Sequence, residues 1–183
     1  MLAGTILMPS VYDYSPLQAE VVRFYDLYRS TLANKKFHAR KLHSVKRWTT
    51  WIELLTAITS SAAIASLVIW KTPIGNVVFM ALLVISAVGS LARSTLKMSD
   101  SIDRHSRLAY AWNELSLDME KLIAGIRSPG TLTDVLRARM VDLCDRFQRV
   151  EMSDDIEYSE VYKTLQNEVN IAVPAESMWL PST

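Results

Sequence analysis

Residues 51–70 read WIELLTAITSSAAIASLVIW, an apolar stretch bounded by Trp51 and Trp70 and carrying one charge, Glu53. In a helix, twenty residues rise about 30 Å, the thickness of a bilayer's hydrocarbon core. A second run, IGNVVFMALLVISAVGSLA over residues 74–92, contains no charged residue. Between Glu53 and Arg93 the only charge is Lys71. KTPIGN joins the two runs, and its Pro73 and Gly75 mark a tight turn. A buried hairpin of a soluble bundle rarely avoids charge for so long on both arms. The pair therefore predicts a transmembrane helical hairpin whose outer ends face the same side. Trp48, Trp51 and Trp70 stand where amphipathic rings favour the membrane–water interface.

The basic residues orient the hairpin. Arg29, Lys35, Lys36, Arg40, Lys41, Lys46 and Arg47 precede the first run, and Arg93, Lys97, Arg104 and Arg107 follow the second. Lys71 alone occupies the turn. The positive-inside bias places both termini in the cytoplasm and the turn outside. KKFHARKLHSVKR also has the charge to meet nucleic acid. Beside a span it favours anionic lipid head groups instead, with Lys35, Lys36, Arg40, Lys41, Lys46, Arg47, Trp48, Trp51 and Trp70 as the anchoring set.

The flanks read as helices. Ser15 is an N-cap and Pro16 the first helical residue, followed by Val21, Phe24, Tyr28 and Leu32 as an amphipathic stripe. Nothing in the pattern prevents this helix from running into the first span. Leu108, Trp112, Leu115, Met119, Leu122 and Ile126 share one face beyond the second span, and SPG at 128–130 ends that helix. A further helix over 133–152 carries Leu136, Met140, Leu143, Phe147 and Val150. Another over 154–169 carries Tyr158, Val161, Tyr162 and Leu165, and VPAESMWLPST is a prolyl tail. No strand pattern or convincing repeat is present. The predicted fold is an all-α membrane protein. Residues 1–47 form a cytoplasmic tail and basic amphipathic helix, 48–96 a transmembrane hairpin, and 97–183 a cytoplasmic helical domain and tail.

Composition argues against most chemistry. Of the 183 residues 21% are charged, and five glycines without a Gly-x-Gly pattern speak against a phosphate-binding loop. A single cysteine, Cys144, excludes an internal disulfide, and on an apolar helical face it reads as a small core residue. The start, MLAGTILMPSVYDY, lacks the form of a secretory signal. His38 and His43 are five apart and share no helical face, and His105 is distant in sequence, so no metal site is expected. Asp154, Asp155 and Glu157 read as acids at a helix N-terminus. Neither an enzyme nor a cofactor is indicated. Residues 1–47 hold eight Lys/Arg against three Asp/Glu, while 93–183 hold eleven against fifteen. A basic arm beside acidic helices predicts that they pack together, within a chain or between neighbours.

An N-terminal helix, two closely spaced spans and then DRHSRLAYAWNELSLDMEKLI, with His105, Tyr110, Trp112 and Leu115 in rhythm, resembles the SLATT families. The resemblance covers about 15–169, and its motif is one of helix packing. It implies a two-transmembrane effector of bacterial nucleotide-signalling conflict systems, located in the inner (cell) membrane and disrupting the bilayer on a phage-infection signal. It also implies a nucleotide-signalling partner protein or a cyclic nucleotide as trigger, and it supplies no catalytic residues.

The spans carry a finer pattern. Glu53, Thr56, Ser60 and Ala63 recur on one face of the first, and Ser86, Gly89, Ser90 and Arg93 on one face of the second. Small residues let helices approach in lipid and hydroxyls bond across the contact. These faces either pack the hairpin or line a water-filled path, and two spans per chain require several chains, a homo-oligomer, to enclose one. Glu53 either pairs with Arg93 or Arg47 or serves as a charge at the path's mouth. Three functions remain open: a self-assembling membrane effector in anti-phage defence, a membrane-anchored scaffold recruiting a cytoplasmic partner, and a holin- or exclusion-like protein.

Overall fold

Ser15 and Gln18 open the longest helix among the described residues. The Gln18 amide donates to Ser15 Oγ at 3.4 Å and the Ser15 amide donates to Gln18 Oε1 at 3.1 Å, a reciprocal cap for two otherwise orphaned donors. The computed structural model describes residues 15–69, 98–127, 132–154 and 159–181, with 77, 80, 81, 84, 85, 87–89 and 91. For 59–69, 98 and 176 it describes the backbone alone. Helix α1, Pro16–Ile69, is 54 residues long. No glycine or proline interrupts it after Pro16. The N-terminal amphipathic helix and the first apolar run to Ile69 are thus one helix.

Among the described residues the later helices with full bounds are α2 (Met98–Arg127), α3 (Asp134–Met152) and α4 (Glu160–Ala172), with a 3₁₀ turn at Ala175–Ser177. Val77, Met80, Ala81, Val84, Ile85, Ala87, Val88, Gly89 and Leu91 of the second apolar run are helical. Among the described residues there is no strand, so the chain is all-α as expected. Among those same residues no helix is long and apolar enough to cross a membrane. Much of both apolar runs lies outside the fully described residues, so the transmembrane hairpin is an expectation from the sequence alone.

The chain divides into two compact units, Met1–Lys35 with Ala111–Thr183, and Lys36–Tyr110. The boundaries read from the sequence, at 47/48 and 96/97, fall inside the second. In the first unit Trp112 is fully buried, its ring 5.3 Å from Phe147 in an edge-on contact, and its Nε1–H donates to Asp154 Oδ2 at 2.9 Å. That bond corrects the expectation that Asp154 begins a helix. Asp154 stands in the loop after α3, and the fourth helix starts at Glu160 behind Ser159 and runs to Ala172. Asp155, Glu157 and Tyr158 lie outside the described residues.

All six residues of the α2 stripe are buried, Leu108, Trp112, Leu115, Met119, Leu122 and Ile126. In α3, Met140, Leu143 and Phe147 are buried, while Leu136 and Val150 are half-buried at the ends of the stripe. In α4 the buried row is Tyr162, Leu165 and Val169, and Val161 faces outward at 43% exposure. The α1 stripe is wider and more polar than its apolar spacing predicts. Val21 and Phe24 are buried with Tyr25, Thr31, Ala33 and Asn34, but Tyr28 and Leu32 are only half-buried. The polar members are tolerated because each has a partner. The Thr31 hydroxyl donates to the Leu27 carbonyl at 2.8 Å, and Asn34 Oδ1 accepts from the Tyr162 hydroxyl at 2.7 Å.

Arg29 and the tail change roles. Arg29 is 7% exposed, so it is no part of a surface basic flank. Its Nε–H donates to the Val173 carbonyl at 2.9 Å, and Nη1 pairs with Asp26 at 3.3 Å. Burial pushes the Asp26 carboxyl up, and Arg29 partly offsets this. The prolyl tail is tied down by further bonds. The Gln18 side-chain amide donates to the Pro181 carbonyl at 2.9 Å, and Arg127 donates to the Ser177 carbonyl at 2.7 Å.

Asp118 accepts from Arg146 at 2.8 Å and Lys121 at 3.3 Å, and chiefly the Arg146 bond holds its carboxyl below the usual range. A depressed acid contributes stability above its unfolded value, near 3.8, and loses it as pH falls through the lower folded value. Asp118→Asn is expected to destabilise at neutral pH by under about 1 kcal/mol, as a partly exposed pair would. In thermal melts followed by circular dichroism, the difference from wild type should vanish under strong acid.

Candidate functional site

No acidic residue stands between Asp26 and Glu53 on α1, and the cations of that segment repeat through three helical turns. Lys36, Arg40, Lys41, Lys46 and Arg47 are exposed. The Lys41 ammonium lies 5.7 Å from the Phe37 ring centroid, a cation–π contact that leans its stem on a buried aromatic. Lys35 differs from the rest of the anchoring set. It is half-buried in the first unit, with Nζ 3.5 Å from the Ser116 hydroxyl.

Directly after the cations come two outward tryptophans, Trp48 at 64% and Trp51 at 53% exposure. Exposed indoles that large are unusual on a helix facing only water. Ser44, Arg47, Trp48, Trp51 and Leu55 line a groove of about 500 Å³ in the second unit. The wall they form passes along α1 from a hydroxyl and a guanidinium to two indoles and a leucine.

Of the residues proposed to pack the spans or line a pathway, Glu53 is exposed on α1. Thr56 is exposed as well, and its hydroxyl donates to the Ile52 carbonyl of its own helix at 2.8 Å. Gly89 meets α1: a Cβ built on it would stand 3.6 Å from Ile52 Cγ2, an ordinary contact distance. Ser60 and Ala63 are described by their helical backbone only, and Trp70, Ser86, Ser90 and Arg93 lie outside the described residues.

The structure joins two histidines that the sequence keeps apart. His38, 1% exposed, has its Nδ1 3.0 Å from His105 Nδ1, so one ring donates while the other accepts. The signal was present in the spacing, because His105 extends the buried Leu108–Trp112 row of α2 by one step. His43 is exposed on α1 and takes no part in this pair. Among the described residues no group of three or more His, Cys, Asp or Glu could hold a metal ion. Cys144 is half-buried, and burial pushes its thiol up, which keeps it protonated and weakly nucleophilic at neutral pH. No protein-family profile matches the chain, and neither does any curated protein or solved structure.

Proposed function

We propose that this chain is a membrane effector that self-assembles and permeabilises a bacterial inner membrane when an infection or nucleotide signal arrives. One observation carries the reading. A single helix, α1, bears in order a cation-rich segment, the exposed Trp48 and Trp51, and an apolar run with no charge after Glu53. That order matches the order of a membrane's layers from cytoplasm to hydrocarbon. The sequence sets Pro73 and Gly75 between the two apolar runs, and the basic flanks on both outer ends favour a cytoplasmic side for both termini. Small residues on both runs favour close packing between chains, and the resemblance to SLATT effectors supplies the trigger class.

The arrangement has a direct test. A cytoplasm-dependent reporter fused to either terminus is expected to be active. In a Cys144→Ser background, a cysteine introduced by Pro73→Cys or Asn76→Cys should be labelled by an impermeant maleimide from outside. Termini on opposite sides would remove the hairpin and the proposal with it. A second reading, a membrane-anchored scaffold, draws on the outward Val135 and Ile171, 78% and 82% exposed, as apolar contacts for a cytoplasmic partner. Capture of such a partner without membrane leak would favour it.

A further inference from the structure

We infer that the α1 groove at Ser44, Arg47, Trp48, Trp51 and Leu55 is a binding site for one anionic phospholipid, held head group first. This assignment rests on the membrane reading. The groove, about 500 Å³, has room for a phosphodiester head group and its glycerol, with the acyl chains continuing outside it along α1. Its chemistry is graded along the helix. Ser44 and Arg47 supply a hydroxyl donor and a guanidinium fork, the groups suited to a phosphodiester. The indoles of Trp48 and Trp51 follow at the depth of the glycerol and upper acyl chain, and Leu55 lies beyond them.

Spacing supports a single occupant. Ser44, Arg47, Trp51 and Leu55 recur at three and four residues and so share one face of α1. From Ser44 to Leu55 the helix rises about 16 Å, close to half of a bilayer's hydrocarbon thickness. One lipid in one leaflet spans that distance. Arg40, exposed one turn before Ser44 on the same face, adds a second cation at the head-group end. With no acidic residue between Asp26 and Glu53, charge complementarity selects an anionic over a zwitterionic head group.

The test uses the full chain reconstituted in phosphatidylcholine vesicles with a dilute brominated lipid, read by quenching of tryptophan fluorescence. Brominated phosphatidylglycerol is expected to quench more than brominated phosphatidylcholine at equal mole fraction. Arg47→Gln should reduce that preference about fivefold, the equivalent of one arginine's contribution at an anionic surface. Arg47→Lys, which keeps the charge, should retain part of it, and Trp48→Phe with Trp51→Phe should abolish the differential signal. Equal quenching by both lipids in the wild type would overturn the site while leaving membrane insertion intact. A preference that survives Arg47→Gln undiminished would overturn the assignment to this groove. No quenching by either lipid would mean that the membrane reading itself has failed.

Discussion

Trp112→Ala is expected to destabilise the helical unit formed by 1–35 and 111–183 by about 3–5 kcal/mol, the usual cost of removing a fully buried tryptophan. Several losses combine at this position. The indole is fully buried in the α2 row and packs edge-on against Phe147 of α3. Its truncation leaves a cavity that rigid neighbours on other helices fill only in part. It also removes the Nε1–H donor from which Asp154, just past the end of α3, accepts at 2.9 Å. Trp112→Phe separates the two contributions. It keeps most of the ring contact and loses the hydrogen bond, so its cost should fall to about 1–3 kcal/mol. Thermal melts followed by circular dichroism in mild detergent read both variants. A Trp112→Ala protein that melts within a degree or two of wild type would contradict this account of the core.

Ile64→Arg combined with Leu83→Arg is expected to abolish membrane insertion. Each arginine stands near the middle of an apolar run, where it costs about 2.5–3.5 kcal/mol in insertion free energy. Together they oppose insertion by roughly 5–7 kcal/mol, if the two sites act independently. The matched control is Tyr110→Arg, which adds a cation at a position 67% exposed and outside both runs. Carbonate extraction of membranes should leave the wild type and the control in the pellet and release or destroy the double variant. Retention of the double variant in the pellet would mean that the two runs do not enter hydrocarbon.

Apolar periodicity made the helices legible and polar partnership was what it missed. The α2 row from Leu108 to Ile126 is buried at every predicted position, because a three- and four-residue apolar spacing has only one face to bury. The starts of α1 and α3 follow from local signals, Ser15–Pro16 and the Thr133 cap, which accepts from the Leu136 amide. Local residue type points to Asp154 as the start of α4, whereas its carboxylate accepts from Trp112, 42 residues away. No local rule contains that distance. Thr31, Asn34 and His38 sit buried on α1 for the same reason: their partners Met119, Tyr162 and His105 come from other helices. Of the candidate site, the cations and Trp48 and Trp51 were readable from composition beside an apolar run. The groove was not, because it depends on which side chains the folded helix leaves open. Charge alone groups Lys35 with its basic neighbours, whereas its position on the helix turns it toward Ser116.

Membrane potential during induced expression tests the proposed effector most directly, since raising the concentration of the chain favours assembly by mass action. Cells carrying a potential-sensitive dye should depolarise soon after induction of the wild type. Cells making the Ile64→Arg, Leu83→Arg variant to the same level should hold their potential. Full potential and normal growth, with abundant wild-type protein assembled in the membrane fraction, would contradict a permeabilising effector.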